Sequence, residues 1–95
     1  MRDCVILVSF DLPSQNSAQR SDNNYFRRNL IKSGYSLLQK SVYYRHIRNS
    51  SMREYEILHI QKIAPRDGEV FVLPVPLKTL NKWGGFKAAY FLDRN

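Results

Sequence analysis

Residues 4–13 have the sequence CVILVSFDLP, and this stretch decides the fold. Its first seven residues form a nearly continuous apolar run, which is typical of a central strand covered by other layers of structure. Pro13 cannot donate to a strand ladder, so the strand is expected to end before it. Cys4 is the single cysteine, and we interpret it as a buried packing residue rather than a reactive thiol. The sequence therefore predicts a buried first strand that leads into a loop at Asp11.

A helix and two strands are predicted to follow this strand. Ser17 or Ser21 could cap a helix that runs to Ser33 and stops at Gly34. Its expected apolar stripe consists of Phe26, Leu30 and Ile31. Residues 35–39 and 41–47 are rich in Tyr, Val and Leu and predict two strands. Since only Lys40 separates them, a tight turn or a bulge is expected there.

The second half of the chain predicts one more helix and two more strands. Residues 51–54 read SMRE, a capping-box pattern that predicts a helix to about Ile63. Its expected buried side chains are Met52, Tyr55 and Leu58. Residues 64–68 have turn chemistry, and residues 69–75 predict a strand in which Pro74 indicates a sheet edge or the end of the strand. Residues 83–85 (WGG) predict a hinge before a last strand, Phe86 to Leu92.

The order β-α-β-β-α-β is the ferredoxin-like α+β pattern, an antiparallel sheet with two helices on one face. We expect residues 1–83 to form this core domain and residues 84–95 to form a C-terminal hinge and strand. The extra strand is expected to be exchanged or added across a homodimer, because the core sheet is already complete without it.

Composition limits the classes of function. A chain of 95 residues predicts one domain. The longest apolar stretch is far shorter than the ~20 residues that span a bilayer, so we expect no membrane association and a cytoplasmic location. The 15 Lys and Arg against 8 Asp and Glu give a net charge of +7, which suits an anionic partner such as nucleic acid.

The charge is concentrated in one region. Residues 12–53 hold eight basic residues and one acidic residue, whereas the rest of the chain is balanced. This concentration favours a surface that binds phosphates over a merely solubilising one. The candidate nucleic-acid-binding residues are Arg27, Arg28, Arg20, Lys32 and Lys40.

Asp11 is the most informative carboxylate, because it stands where the first strand meets its loop. It could be a metal ligand, since Mg²⁺ needs only one or two carboxylates when waters and phosphates complete its shell. It could equally form an Asx-turn in Asp-Leu-Pro. His46 and His59 lack metal-ligand spacing and are expected to be structural. Tyr35, Tyr43 and Tyr44 could stack on bases, but they are more simply explained as core or interface residues.

Four segments resemble the CRISPR-associated protein two family, the small partner of the spacer integrase. Residues 8–13 (VSFDLP) resemble its first strand and loop, and residues 26–34 (FRRNLIKSG) resemble its first helix. Residues 39–43 (QKSVY) resemble its Gln-x-Ser-Val-Tyr strand, and residues 68–70 (GEV) resemble the start of its fourth strand. The resemblance covers the whole chain and is closest to members from single-effector systems.

The resemblance implies a ferredoxin-like homodimer in which each C-terminal strand packs on the partner's sheet. It implies that Asp11 is the metal-binding and catalytic residue of a Mg²⁺-dependent endonuclease. It also implies a role in spacer acquisition, with duplex DNA held between integrase dimers. The alternatives are a free-standing, toxin-like RNA endonuclease and a non-catalytic RNA-binding module.

Overall fold

The computed structural model describes residues 3–83, which contain four strands and three α-helices. The expected strand Phe86–Leu92 and the Gly84–Gly85 part of the hinge lie outside the described residues. The strands are β1 (Cys4–Asp11), β2 (Ser36–Gln39), β3 (Val42–Ile47) and β4 (Glu69–Pro76). The helices are α1 (Ser17–Lys32), α2 (Arg53–Ile63) and α3 (Leu77–Trp83), and a 3₁₀ turn at Ser50–Met52 precedes α2.

The strands form one antiparallel sheet in the order β2-β3-β1-β4. This order confirms that β1 is central and that the Pro74-bearing strand lies at an edge. With α1 and α2 packed on one side, the architecture is the predicted ferredoxin-like α+β fold. Of the turn or bulge expected between β2 and β3, the connection is a turn, in which Ser41 has a φ of 63°, and a separate bulge lies within β2 between Leu37 and Gln39.

The core lies between the helices and one face of the sheet, which we call the helix face. Alternate residues of β1 point into it, and all are buried: Cys4, Ile6, Val8 and Phe10. The burial of Cys4 confirms its assignment as a packing residue. The core is completed by Phe26, Leu30, Tyr35, Tyr43, Ile47 and Ile60. The other side of the sheet, which we call the open face, carries the remaining β1 residues and their cross-strand neighbours.

Helix α1 begins earlier than predicted, with its cap one residue before Ser17 and five before Ser21. Asn16 is the N-cap, and its Oδ1 accepts a hydrogen bond from the Gln19 amide at 2.8 Å. The helix stops before Gly34, as expected, because Gly34 has a φ of +94° that favours glycine. Phe26 and Leu30 are buried, but the prediction that Ile31 is buried was wrong. One residue advances the helix by ~100°, so Ile31 lies on the flank and is 60% exposed.

Helix α2 differs most from its prediction. The capping box does not form, because Ser51 belongs to the 3₁₀ turn, where its amide and hydroxyl both donate to Asn49 Oδ1 at 3.0 and 2.7 Å. Its buried positions are Glu56 and Ile60, whereas Met52, Tyr55 and Leu58 are exposed. Glu56 can face inward because buried Tyr35 and half-buried Arg45 both donate hydrogen bonds to its carboxylate.

Helix α3 was not predicted from the sequence. It follows directly on Pro76, and the Leu77 amide donates to the Asp3 carbonyl at 3.2 Å. A helix of seven residues shows too little periodicity to be recognised beside two prolines that favour an extended chain.

Candidate functional site

Asp11 is the last residue of β1 and is exposed. Within residues 3–83 its carboxylate has no hydrogen-bond or ion-pair partner. The Asx-turn that could have explained this aspartate is therefore not formed. The side chain stays available for a ligand from outside the described chain.

The backbone around Asp11 is held in place by α1 and by the start of β4. Asn23 is buried and donates from Nδ2 to the Pro13 carbonyl at 2.9 Å. Gly68 has a φ of +100° and packs so closely that a Cβ there would lie 2.7 Å from the Asp11 carbonyl oxygen. Glycine is therefore required at this point, where the loop into β4 crosses the end of β1.

A second carboxylate lies beside Asp11, and sequence reasoning missed it. Glu69 is the cross-strand partner of Asp11 in the β1–β4 ladder, so both side chains leave the same face of the sheet. Directly opposite residues have Cβ atoms about 4.5–5.5 Å apart. The only signal in the sequence was a strand starting at Glu69, and its register against β1 could not be read from it.

This pair is a sparse but suitable set of donors for Mg²⁺. Two carboxylates from neighbouring strands can occupy two positions of an octahedral shell, and waters and phosphate oxygens can complete it. Residues 3–83 contain no group of three or more His, Cys, Asp and Glu that could enclose a metal. The arrangement thus fits a metal held together with a phosphate, not a closed structural site.

Three of the predicted nucleic-acid-binding residues lie around the Asp11 end of the sheet. Arg20 Nη1 donates to the Ser14 carbonyl at 3.2 Å, in the loop that follows β1. The Arg27 guanidinium lies 5.3 Å from the centre of the Phe10 ring. Lys40 precedes Ser41, whose carbonyl accepts from the Phe10 amide at 3.0 Å. Arg27 is thus adjacent to Phe10 on the helix face, whereas the Asp11 side chain leaves the open face of the sheet.

The other two candidates lie on the outer surface of α1. Arg28 and Lys32 are both exposed and four residues apart, so they share one face of the helix. That face is roughly opposite the buried stripe of Phe26 and Leu30. The five candidates therefore form a basic band over the flank and outer face of α1 that continues to the β2–β3 turn.

Arg45 is half-buried and pairs with a buried carboxylate instead. Its Nη1 lies 2.8 Å from Glu56 Oε2, and Tyr35 donates to Glu56 Oε1 at 3.0 Å. Burial and the neighbouring Glu56 carboxylate raise the pKa of Tyr35 well above its ordinary value. This network joins β3, α2 and the start of β2, so one of the eight bases in residues 12–53 serves the fold.

The histidines and two of the tyrosines have structural surroundings, as expected. His46 Nε2 lies 3.1 Å from Asp3 Oδ2, and His59 Nε2 lies 2.8 Å from Ser33 Oγ. Tyr43 is buried and stacks on Phe10 with ring centroids 5.8 Å apart.

Together the fold and the site define a small, basic, ferredoxin-like protein with a carboxylate pair at the end of its first strand. The chain belongs to the family described as CRISPR associated protein Cas2, whose model matches residues 4–83. This membership confirms the resemblance seen in the sequence.

Curated relatives agree with the family match. A protein from Treponema denticola is 39% identical over 77 residues, which cover 81% of this chain and 76% of the relative. One from Campylobacter jejuni is 36% identical over 77 residues, covering 81% of this chain and 54% of the relative. One from Ligilactobacillus salivarius is 34% identical over 76 residues, covering 80% and 75%. All three are named CRISPR-associated endoribonuclease Cas2.

None of the helices within residues 3–83 has the length and apolar character needed to cross a membrane.

Proposed function

We propose that this protein is a homodimeric, cytoplasmic component of CRISPR spacer acquisition that binds duplex DNA and bridges integrase dimers. The observation that carries the proposal is the basic band, which consists of five cations on α1 and at the β2–β3 turn of a member of this family. The bridging role needs a dimer, a surface for phosphates and a place for the integrase subunit.

The open face of the sheet supports the dimer. Phe71 and Leu73 of β4 are 75% and 57% exposed on this face, and Leu7 and Val42 beside them are half-buried. Contiguous apolar side chains on one face of an antiparallel sheet are typical of an interface. A second copy packed face to face would cover them and give the small core of this domain additional burial.

The outer edge of β4 supports the exchanged strand. The Phe10 amide bonds to Ser41 beside β3, so the amides of its neighbours Ser9 and Asp11 point toward β4. The backbone groups of their partners Phe71 and Glu69 therefore bond to β1. The N–H and C=O groups of Val70 and Val72, which alternate with them, point to the free edge of β4. The segment 86–92 of a second copy would pair there. An apolar groove of about 280 Å³ lies beside this edge and is lined by Ile57, Ile60, Gln61, Ala64, Val70 and Val72.

Duplex DNA is the partner that best suits the basic band. Arg20 and Lys32 are twelve residues apart, so the band extends about 18 Å along α1. A surface of this length can contact several phosphates of a duplex without reading bases. The dimer would present two such bands.

Asp11 and Glu69 would hold Mg²⁺ at the end of β1. When bound, the ion would neutralise a phosphate and lower the pKa of a coordinated water. The protein's own contribution is positional, because Gly68 and Asn23 fix the backbone at and after Asp11. The site would thus act as a metal-dependent phosphodiesterase on a bound nucleic acid.

A second candidate function is cleavage of RNA, which the names of the relatives favour. The carboxylate pair and the basic band would serve an RNA substrate by the same chemistry. The two functions differ in outcome, because bridging depends on the dimer and the band, whereas RNA cleavage depends on Asp11.

The test compares duplex-DNA binding by the wild type, Arg27→Ala/Arg28→Ala, and Lys78→Ala. Lys78 is an exposed base on α3 and serves as the control. We expect the double variant to bind every duplex more weakly and to lose about two units of the slope of log K against log salt. Spacer acquisition with the integrase subunit should fall in parallel, and Lys78→Ala should leave both unchanged. Equal slopes in all three proteins would refute the proposed DNA surface.

A further inference from the structure

Arg27 lies against an aromatic ring, and the proposed function does not explain this contact. The central carbon of its guanidinium lies 5.3 Å from the centre of the Phe10 ring, which is within the ~6 Å of a cation–π contact. Arg27 is half-buried, whereas the next residue, Arg28, is exposed. Two neighbouring arginines of the basic band therefore have different surroundings.

The ring of Phe10 is itself fixed by the core. Phe10 is 6% exposed. Its ring meets the Phe26 ring edge-on at 5.2 Å and stacks on the Tyr43 ring at 5.8 Å between centroids. Because side chains in a close-packed core keep a defined rotamer, Phe10 gives the guanidinium of Arg27 a rigid surface to lie on.

The N–H groups of Arg27 remain available for a ligand. Within residues 3–83, Arg27 has no hydrogen-bond or ion-pair partner. A cation–π contact engages the guanidinium through its charge, so the N–H donors in the guanidinium plane can still bind an anion. These donors form a fork that matches two oxygens of a phosphate. Arg27 is therefore both ordered and unsatisfied.

A second ordered arginine lies on the same flank of α1. Arg20 and Arg27 are seven residues apart, so they lie above one another at a distance of about 10.5 Å along the helix. Arg20 is restrained by the Ser14 carbonyl, to which its Nη1 donates at 3.2 Å. A long side chain that is already ordered loses less conformational entropy when it binds, which strengthens its contact with a phosphate.

From these contacts we infer that Phe10 is a positioning residue for nucleic-acid binding. Its ring holds the guanidinium of Arg27 as a pre-ordered fork for one backbone phosphate, and Phe10 itself does not touch the nucleic acid. The inference rests on the proposed function, because the phosphate belongs to the nucleic acid bound along α1. Its consequence is that Arg27 contributes more than its charge and that lysine cannot replace it.

The experiment is a double-mutant cycle on duplex-DNA binding by the full chain, with Phe10→Leu, Arg27→Ala and the double variant. We expect Phe10→Leu to weaken binding about fivefold in the wild type and to have no effect in Arg27→Ala. The slope of log K against log salt should stay unchanged in Phe10→Leu, which loses no charge, and should fall by about one in Arg27→Ala. An equal loss in both backgrounds would show that Phe10 acts only through the fold, and would overturn the inference.

A second comparison does not depend on the stability of a core variant. Arg27→Lys keeps the charge but loses the planar fork, so we expect it to bind the duplex about fivefold more weakly with an unchanged salt slope. The matched control is Arg53→Lys, since Arg53 is an exposed arginine at the start of α2, outside the basic band. This control should bind as the wild type does. Equal affinities of Arg27→Lys and the wild type would overturn the inference.

Failure of the proposed function has a different signature, namely no binding of duplex DNA by the wild type at any salt concentration. The same variants are then measured on single-stranded RNA, the substrate of the second candidate function. A weaker RNA affinity of Arg27→Lys alone would support the positioning role. Equal RNA affinities of Arg27→Lys and the wild type, or no binding of RNA, would overturn it.

Discussion

Asp11 is positioned by contacts to its backbone and not by contacts to its own carboxylate. Gly68 packs on its carbonyl oxygen, and Asn23 holds the chain two residues later at Pro13. A change at the carboxylate therefore leaves these supporting contacts intact. This separation makes Asp11 a residue at which fold and chemistry can be tested independently.

The first prediction concerns Asp11→Asn. Asn keeps the size of the side chain but lacks the charge that binds a hard cation. We expect the variant to keep its fold and dimer, to lose Mg²⁺-dependent cleavage, and to retain spacer acquisition with the integrase subunit. The measurement is nuclease activity and acquisition from one preparation, with Asp67→Asn as a control for a nearby carboxylate.

Two outcomes would contradict this account in different ways. Loss of both activities with an intact dimer would show that cleavage is part of acquisition. Undiminished Mg²⁺-dependent cleavage by Asp11→Asn would remove Asp11 from the active site.

The second prediction concerns Tyr35, whose hydroxyl donates to the buried Glu56 carboxylate. Its pKa is raised in the folded protein, so above pH ~10 the unfolded chain loses this proton first and the free energy of unfolding falls as pH rises. Tyr35→Phe should cost about 1–3 kcal/mol near neutral pH and should show a shallower alkaline loss. Urea unfolding from pH 8 to 11 measures this, with the exposed Tyr55→Phe as the control. Parallel stability curves for all three proteins would disprove the linkage.

At the scale of elements, β4 has two different edges. Its odd-numbered residues bond to β1, whereas Val70 and Val72 direct their amides outward. Pro74 and Pro76 alternate in the same way, so each occupies a position whose N–H would point to the free edge. The N–H that proline lacks is therefore not missed by the sheet. The free edge thus offers amide donors only over its first half, beside the apolar groove.

The third prediction concerns Val72, whose amide points to the free edge of β4. Val72→Pro removes an outward N–H and leaves the bonds to β1, whereas Val72→Ala loses similar packing and keeps the N–H. We expect Val72→Ala to cost about 1 kcal/mol of stability and remain dimeric, and Val72→Pro to dissociate. Sedimentation at several protein concentrations measures both. Identical dissociation of the two variants would show that no strand pairs at this edge.

At the scale of the whole molecule, we expect the proposed dimer to depend on the C-terminal segment. Deleting residues 86–95 should yield a monomer or an aggregate, because the open face and the β4 edge would both lose their cover. Light scattering and sedimentation test this fourth prediction. A truncated chain that stays a well-behaved dimer would leave the sheet face as the interface and exclude the exchanged strand.

The sequence predicted those parts of the molecule in which one residue type has one structural meaning. The apolar run of β1, the stop at Gly34 and the edge position of Pro74 are of this kind, and all three are confirmed. The orientation of α2 could not be predicted, because an isolated glutamate is expected outside until its partners Arg45 and Tyr35 are known. In the site, Asp11 could be singled out as the end of a strand. Glu69 could not, since its place opposite Asp11 depends on the register between two strands that residues 12–68 separate.

The prolines of β4 also affect how the protein behaves when it is crowded. An exposed strand edge invites uncontrolled β-sheet growth between chains, the first step toward insoluble fibrils. Here Pro74 and Pro76 leave the second half of that edge without donors, so a growing fibril finds too few amides to extend along it. A short segment that pairs with the first half of the β4 edge and also fills the adjoining groove would gain more contacts than a strand that pairs with the edge alone. The same two prolines thus lower the tendency of this small protein to aggregate through the edge of β4.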